Sequence, residues 1–345
     1  MAWYTLFVAI GCFCVTVLLT GLARRFLLSR RLLAIPNERS SHDTPTPQGG
    51  GIAIVVATTV ALGVLAVLDA LTTRVLIAVV GGGTAVAVVG FLDDRHNVSP
   101  KVRIAVHFAA AAWTLLWLDG LPPIPIGEGL YVLGFGGYLL GAIGIVWSLN
   151  LFNFMDGIDG IAASEAAFIT LAGALISFVT HDSAEVVAIS LVVGCACAGF
   201  LVWNWPPARI FMGDVGSGYL GYLVASIAIV AAHDDPVAWL VWLILGGVFF
   251  VDATLTLVRR WLRRERVYEA HRSHAYQWLA RRWGHRRVTV AVLLVNTLWL
   301  LPCAWLAAVN PAHAAWIALV ALTPLVLVAF GAGVGRNEAE VPTRR

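Results

Sequence analysis

GIAIVVATTVALGVLAVLDALTTRVLIAVVGGGTAVAVVGFLDDRHNVSP, residues 51–100, decides the fold. It holds most of two apolar runs, 50–68 and 75–92, and the second stops abruptly at Asp93 and Asp94. A helix crossing about 30 Å of hydrocarbon needs roughly this much apolar chain. Working outward, nine more such runs fall at 3–18, 104–118, 130–149, 161–180, 186–203, 219–232, 237–258, 288–309 and 314–331. Of the 345 residues, 59% are hydrophobic and only 12% charged, with a mean hydropathy of +0.83. A soluble domain carries about 25% charged residues. The expectation is an all-α, polytopic integral membrane protein with about 11 transmembrane helices, forming one membrane domain over residues 1–345.

Orientation follows from the basic residues, because short loops rich in Lys and Arg stay in the cytoplasm. Taking every second loop and the C-terminal tail gathers 22 of the 23 Lys and Arg residues, leaving only Arg74 outside. The intervening loops carry acids instead: Asp69, Asp119, Glu128, Asp182, Asp234 and Asp235. An odd number of spans fits, with the N-terminus outside and the C-terminus cytoplasmic. The first run lacks a basic segment before it and is followed by arginines, so it reads as a retained anchor rather than a cleaved signal. Cys12, Cys14, Cys195, Cys197 and Cys303 all lie in proposed spans, where they pack as small apolar side chains. The segment DGLPPIPIGEG, 119–129, suggests a short turn or hairpin between spans.

The cytoplasmic loops hold the chemistry. GFLDDRHNVSPKVR places Asp93 and Asp94 at a helix end, with Lys101 and Arg103 just beyond. Adjacent carboxylates repel unless a cation, a proton or a basic side chain joins them. In SLNLFNFMDGIDGIAA, Asn150, Asn153, Asp156 and Asp159 recur every three residues, which on a helix forms one polar stripe. The same residue types also suit a helix cap and turn. In RIFMGDVGSG, Asp214 stands between Gly213 and Gly216-Ser217-Gly218, before an apolar run. Free N–H groups at a helix start favour phosphate oxygens, and Mg²⁺ commonly binds through one or two carboxylates plus phosphate and water. Asp214 is therefore the candidate metal ligand, for Mg²⁺ or a substituting Mn²⁺. The loop 259–287 is the most basic, and much of its charge suits anionic membrane lipids. Within it HRSHAYQ sets apart His271, Arg272 and His274 as phosphate-binding donors. Asp252, near the end of the preceding span, faces either the bundle interior or a polar cleft.

DDRHNVSP, NLFNFMDGIDG, RIFMGDVGSG and HRSHAYQ, with RSSHDTPTPQGGG at 39–51, together resemble the polyprenyl-phosphate N-acetylhexosamine-1-phosphate transferases. HRSHAYQ looks most like the form in enzymes that begin O-antigen synthesis. The resemblance implies transfer of a sugar 1-phosphate from a UDP-N-acetylamino sugar to undecaprenyl phosphate, with UMP released. It implies a multi-pass protein of the bacterial inner membrane with its active site facing the cytoplasm. Asp93, Asp94, Asp156 and Asp159 then look like catalytic groups, and Asp214 like the metal ligand. Asn150, Asn153, Lys101, His271, Arg272 and His274 look like substrate-binding groups. Asn97 stands where the family often has a further aspartate, so a three-carboxylate metal cluster is not expected. The implied partners are membrane lipids and the two substrates, with no nucleic acid, and the family makes a homodimer plausible.

Two rivals set the tests. An intramembrane prenyltransferase also uses aspartate motifs and Mg²⁺, but leaves the loops containing Asp214 and HRSHAYQ without a task. A transporter is the non-enzymatic alternative, against which the acids gather at one face rather than near the bilayer midplane.

Overall fold

In the computed structural model, residues 3–35, 44–126, 129–180, 183–265 and 271–335 are described. Residues 39–43 of RSSHDTPTPQGGG lie outside them, as do Glu128, Asp182, Arg266 and the basic tail. α1 (Trp3–Ser29) is followed by the antiparallel strands β1 (Leu33–Ala34) and β2 (Thr46–Pro47). Then come α2 (Ile52–Val67), α3 (Thr73–His96) and α4 (Pro100–Trp117). A small antiparallel hairpin, β3 (Ile124–Ile126) with β4 (Gly129–Tyr131), realises the turn expected around 119–129. α5 (Phe135–Met155), α6 (Ile161–Val179), α7 (Ala184–Asn204) and α8 (Asp214–Asp234) complete the first part of the bundle. α9 (Ala238–Leu245), α10 (Gly247–Leu262), α11 (Ala275–Trp283) and α12 (His285–Val295) follow. α12 runs through a π turn, Asn296–Leu300, into α13 (Leu301–Val309), and α14 (Ala314–Ala332) closes the described chain.

Each of the eleven apolar runs is helical over most of its length, and the protein is an all-α polytopic membrane protein. Among the described residues, eight helices are long and apolar enough to cross a bilayer unaided, or up to nine if a bent pair counts as one. The expected count of about 11 differs for local reasons. α2 has only 16 residues, and α4 opens on Lys101 and Arg103. The run 237–258 breaks at Gly246 into α9 and α10, bent by 76°. The four residues NVSP act as a stop and a start. Asn97 takes the left-handed conformation (φ 49°) that ends α3, Ser99 accepts from the Val102 N–H, and Pro100 opens α4.

α8 is the buried centre, packed chiefly against α3 and α5. Its Tyr219 and Tyr222 are fully buried, and the Tyr222 hydroxyl donates to the Ala78 carbonyl of α3 at 2.8 Å. Peripheral helices instead turn large apolar side chains outward, among them Leu18, Leu116, Leu298 and Leu327. Such surfaces suit lipid rather than water. The described cysteines are free, and Cys12, Cys197 and Cys303 are buried as expected, while Cys14 is exposed.

Contacts between loops sort the helix ends into two sets. At one end Gln48, Asp94 and Asp214 touch, as do Asp159, Ala208 and His285. At the other, Arg74 pairs with Asp119, Glu185 accepts from the Thr72 N–H, and His233 reaches the Gly120 carbonyl. The loops carrying Asp94, Asp159 and Asp214 thus gather at one end of the bundle, and Asp119 and Glu185 lie at the other.

Candidate active site

The site is built on the start of α8. Gly213 adopts φ 77°, a conformation costly for any residue with a Cβ, and a Cβ there would also strike the Asp94 carboxylate. Asp94 Oδ1 accepts from the Asp214 N–H at 3.0 Å and from Gln48 Nε2 at 3.0 Å. Its Oδ2 accepts from the Val215 N–H at 3.1 Å. The next two N–H groups, of Gly216 and Ser217, donate to the Gly213 carbonyl. All four donors at the start of α8 are therefore taken, and the anion seated there is Asp94 rather than a phosphate. The glycines of GDVGSG serve packing: Gly216 lies against Gly51 and Met212, and Gly218 against Val86 and Leu149. Segment 46–51 is held beside residues 211–212 by backbone bonds, and this brings Gln48 to Asp94.

Asp93 accepts from the Val98 N–H at 2.7 Å and pairs with Arg103. The same guanidinium lies 3.3 Å from Asp214 Oδ2, so it bridges the two carboxylates. Asp214 Oδ1 accepts from Asn153 Nδ2 at 2.8 Å, and that amide also donates to Ser217 Oγ at 3.1 Å.

The expected stripe through Asn150, Asn153, Asp156 and Asp159 does not form. α5 ends at Met155, and the two aspartates follow in the loop leading to α6. Asn150 instead donates to the Val146 carbonyl within its own helix. The chain bends because Gly160 takes φ 74°, with its N–H donating to Asn204 Oδ1 at 3.0 Å. Asp159 anchors this bend: Oδ2 accepts from the Ala208 N–H at 3.0 Å, and Oδ1 lies 3.2 Å from His285 Nδ1.

Two cavities meet at Asp214 and Asn153. A polar one of about 220 Å³ is lined by Asp156, Asp159, Asp214, Asn153, Gln277 and His285, among others. A larger, mostly apolar groove of about 580 Å³ lies between α3, α4 and α5 and is edged by Lys101, Arg103 and His107. Asn150 and Lys101 belong to the groove, while Asp156 and Asp159 belong to the polar cavity. Burial and the neighbouring carboxylates of Asp214, Asp94 and Asp159 hold the Asp156 carboxyl well above the usual carboxylate range. Concentrated negative charge of this kind attracts a divalent cation. The donor set fits Mg²⁺, which favours hard oxygen ligands and accepts one or two carboxylates with phosphate and water. Asp214 and Asp156, which line the same cavity, would supply those oxygens. No group of three or more His, Cys, Asp or Glu side chains suited to a metal occurs among the described residues.

HRSHAYQ is placed differently from the expectation. His274 is buried, its Nδ1 lies 3.3 Å from Asp252 Oδ1, and its ring stacks on that of His271 at 5.0 Å. Asp252 also accepts the N–H groups of Ala275 and Tyr276, each at 2.9 Å, and so caps α11 from inside the bundle. Neither His271, Arg272 nor His274 lines the polar cavity; Gln277 does. Burial, His274 and Arg260 push the His271 imidazole down to about 3, so it stays neutral near pH 7. Part of the basic charge read as facing lipid is also turned inward. Arg259 and Arg263 donate to the Val334 and Gly335 carbonyls, and Arg260 pairs with Glu265 at 2.9 Å.

Sequence reasoning missed Gln48, Asn204, Gln277 and His285 as lining residues and left Arg103 without a role. Gln48, Gln277 and Arg103 lay inside motifs already singled out. His285 had no signal, because it sits in a run of arginines.

A helical membrane bundle that gathers carboxylates and amides into a polar cavity against an apolar groove defines a polytopic membrane enzyme. Residues 76–232, from α3 into α8, match the family described as Glycosyl transferase family 4. The chain is 30% identical to the decaprenyl-phosphate N-acetylglucosaminephosphotransferase of Mycobacterium tuberculosis, over 81% of this chain and 77% of the relative. It is 29% identical to the probable undecaprenyl-phosphate N-acetylglucosaminyl 1-phosphate transferase of Bacillus subtilis, over 81% and 78%. Identity to the phospho-N-acetylmuramoyl-pentapeptide-transferase of Moorella thermoacetica is 31%, over 62% and 68%. The chain belongs to this family of membrane sugar-1-phosphate transferases.

Proposed function

We propose that this protein transfers an N-acetylamino-sugar 1-phosphate from a UDP-sugar to undecaprenyl phosphate, giving an undecaprenyl-diphosphate sugar and UMP. The observation that carries the reading is the wall shared by the two cavities, where Asp214 and Asn153 face a polar space on one side and an apolar groove on the other. A prenyl phosphate needs an apolar channel ending in cations; a sugar nucleotide needs hydrogen-bonding groups. The groove supplies Lys101 and Arg103 at its polar edge, and the cavity supplies Asn204, Gln277 and His285. The reaction starts O-antigen or a similar envelope glycan at the cytoplasmic face of the bacterial inner membrane, the side to which the basic loops assign the site.

The lipid phosphate oxygen attacks the sugar-bearing phosphorus, and the bond from that phosphorus to the UMP oxygen breaks. A phosphate monoester has its second pKa near 6, so it is largely ionised near pH 7 and needs no strong base. Asp93 and Asp94, both engaged in holding Arg103 and α8, position the site in this scheme. Lys101 and Arg103 orient the attacking phosphate, and Asn153 holds Asp214. Asp214 and Asp156 would hold Mg²⁺, which when bound neutralises charge on the donor diphosphate and the leaving UMP.

The experiment is direct: purified protein with undecaprenyl phosphate, Mg²⁺ and a panel of UDP-N-acetylamino sugars should release UMP with at least one donor. Consumption of prenyl diphosphate instead, or solute flux without conversion in proteoliposomes, would refute the proposal.

A further inference from the structure

Glu165 and Asn296 are both fully buried where α6 meets the start of the π turn. Asn296 Nδ2 donates to Glu165 Oε2 at 2.6 Å. The two remaining side-chain oxygens, Glu165 Oε1 and Asn296 Oδ1, are buried with no hydrogen-bond partner among the described residues. No ion pair among the described residues includes Glu165. An isolated carboxylate in such a place is expensive, and so is a pair of acceptors without a donor. One proton on Oε1 removes both costs: the acid O–H donates to the amide oxygen while the amide N–H donates to the acid carbonyl.

We propose that Glu165 stands as a neutral carboxylic acid in a cyclic acid–amide pair with Asn296, a buried proton-holding site that latches α12 onto the start of α6. It does not depend on the reaction proposed above. The π turn has a local cause, since Pro302 offers no N–H to the carbonyl four residues back and crowds it. His285, Thr289 and Asn296 share one helical face at offsets of four and eleven. His285 lies against Asp159, Thr289 Oγ1 donates to the Asp159 carbonyl at 3.0 Å, and Asn296 holds Glu165. The latch is the deepest of three rungs, and the topmost carries His285 to the polar cavity.

Infrared spectroscopy of the full chain in nanodiscs tests the proton. Wild type should show a protonated-carboxyl carbonyl component that disappears in Glu165→Gln. That variant should keep the wild-type melting temperature, because a primary amide makes the same two bonds. Glu165→Ala should melt several degrees lower; if it fails to insert, the spectrum and the Gln variant decide alone. Absence of the lost component, or a Gln variant as unstable as the Ala variant, overturns the proposal. A wild-type melting temperature that rises with Na⁺ over choline, but not in Glu165→Gln, also overturns it in favour of a cation.

Discussion

Asp94 gives both carboxylate oxygens to the backbone of another helix, and this separates its role from that of Asp214. Replacing Asp94 with Ala leaves the Asp214 and Val215 N–H groups without acceptors, at about 1–3 kcal/mol for each buried group. Asp94→Ala should therefore lower the melting temperature and activity together, measured by thermal unfolding and UMP release. Asp214→Asn should behave differently: the chain inserts and melts as wild type, while turnover falls by about 100-fold or more. Removing divalent cations with EDTA should match that loss, and added Mg²⁺ should restore wild type but not the variant. Robust activity in Asp214→Asn or in EDTA would refute the assignment of Asp214 to the metal.

At the scale of elements, α11 owes its position to one buried acid. Asp252 holds the first N–H groups of α11 and the His274 ring, while Tyr276 donates to the Phe154 carbonyl at 2.9 Å, two residues before Asp156. Asp252→Ala should therefore raise the apparent KM for the UDP-sugar by displacing Gln277, and Asp252→Asn should recover part of the loss. A change in kcat alone would contradict this. The stacked His271 gives the segment a pH response with a definite sign. Its folded value lies near 3 against an ordinary 6.5. Below 6.5 the unfolded chain binds a proton that the folded loop refuses, so stability declines as pH falls from 6.5 toward 3 and is flat above. His271 meets His274, Arg260 and Asp252 in this pocket. Melting curves across that window should show a shallower slope in His271→Asn than in wild type.

For the whole molecule, the alternating helix ends predict that a cysteine placed near Asp119 is labelled by an impermeant maleimide from the periplasm, whereas one placed near Arg282 is not; the reverse pattern would invert the orientation. The membrane class, the helical runs and the grouping of acidic motifs were legible in sequence, because hydropathy and charge act along the chain within a few residues. The sequence also carried the family likeness, which needs only order and spacing. Tertiary structure alone decided that the polar stripe breaks after Met155, that Asp94 caps α8, that Asp252 caps α11, and that His285 and Gln277 reach the cavity. Each of these depends on a partner tens of residues away or more, and which donor meets which acceptor is fixed only when helices pack; local pattern carries no record of that pairing.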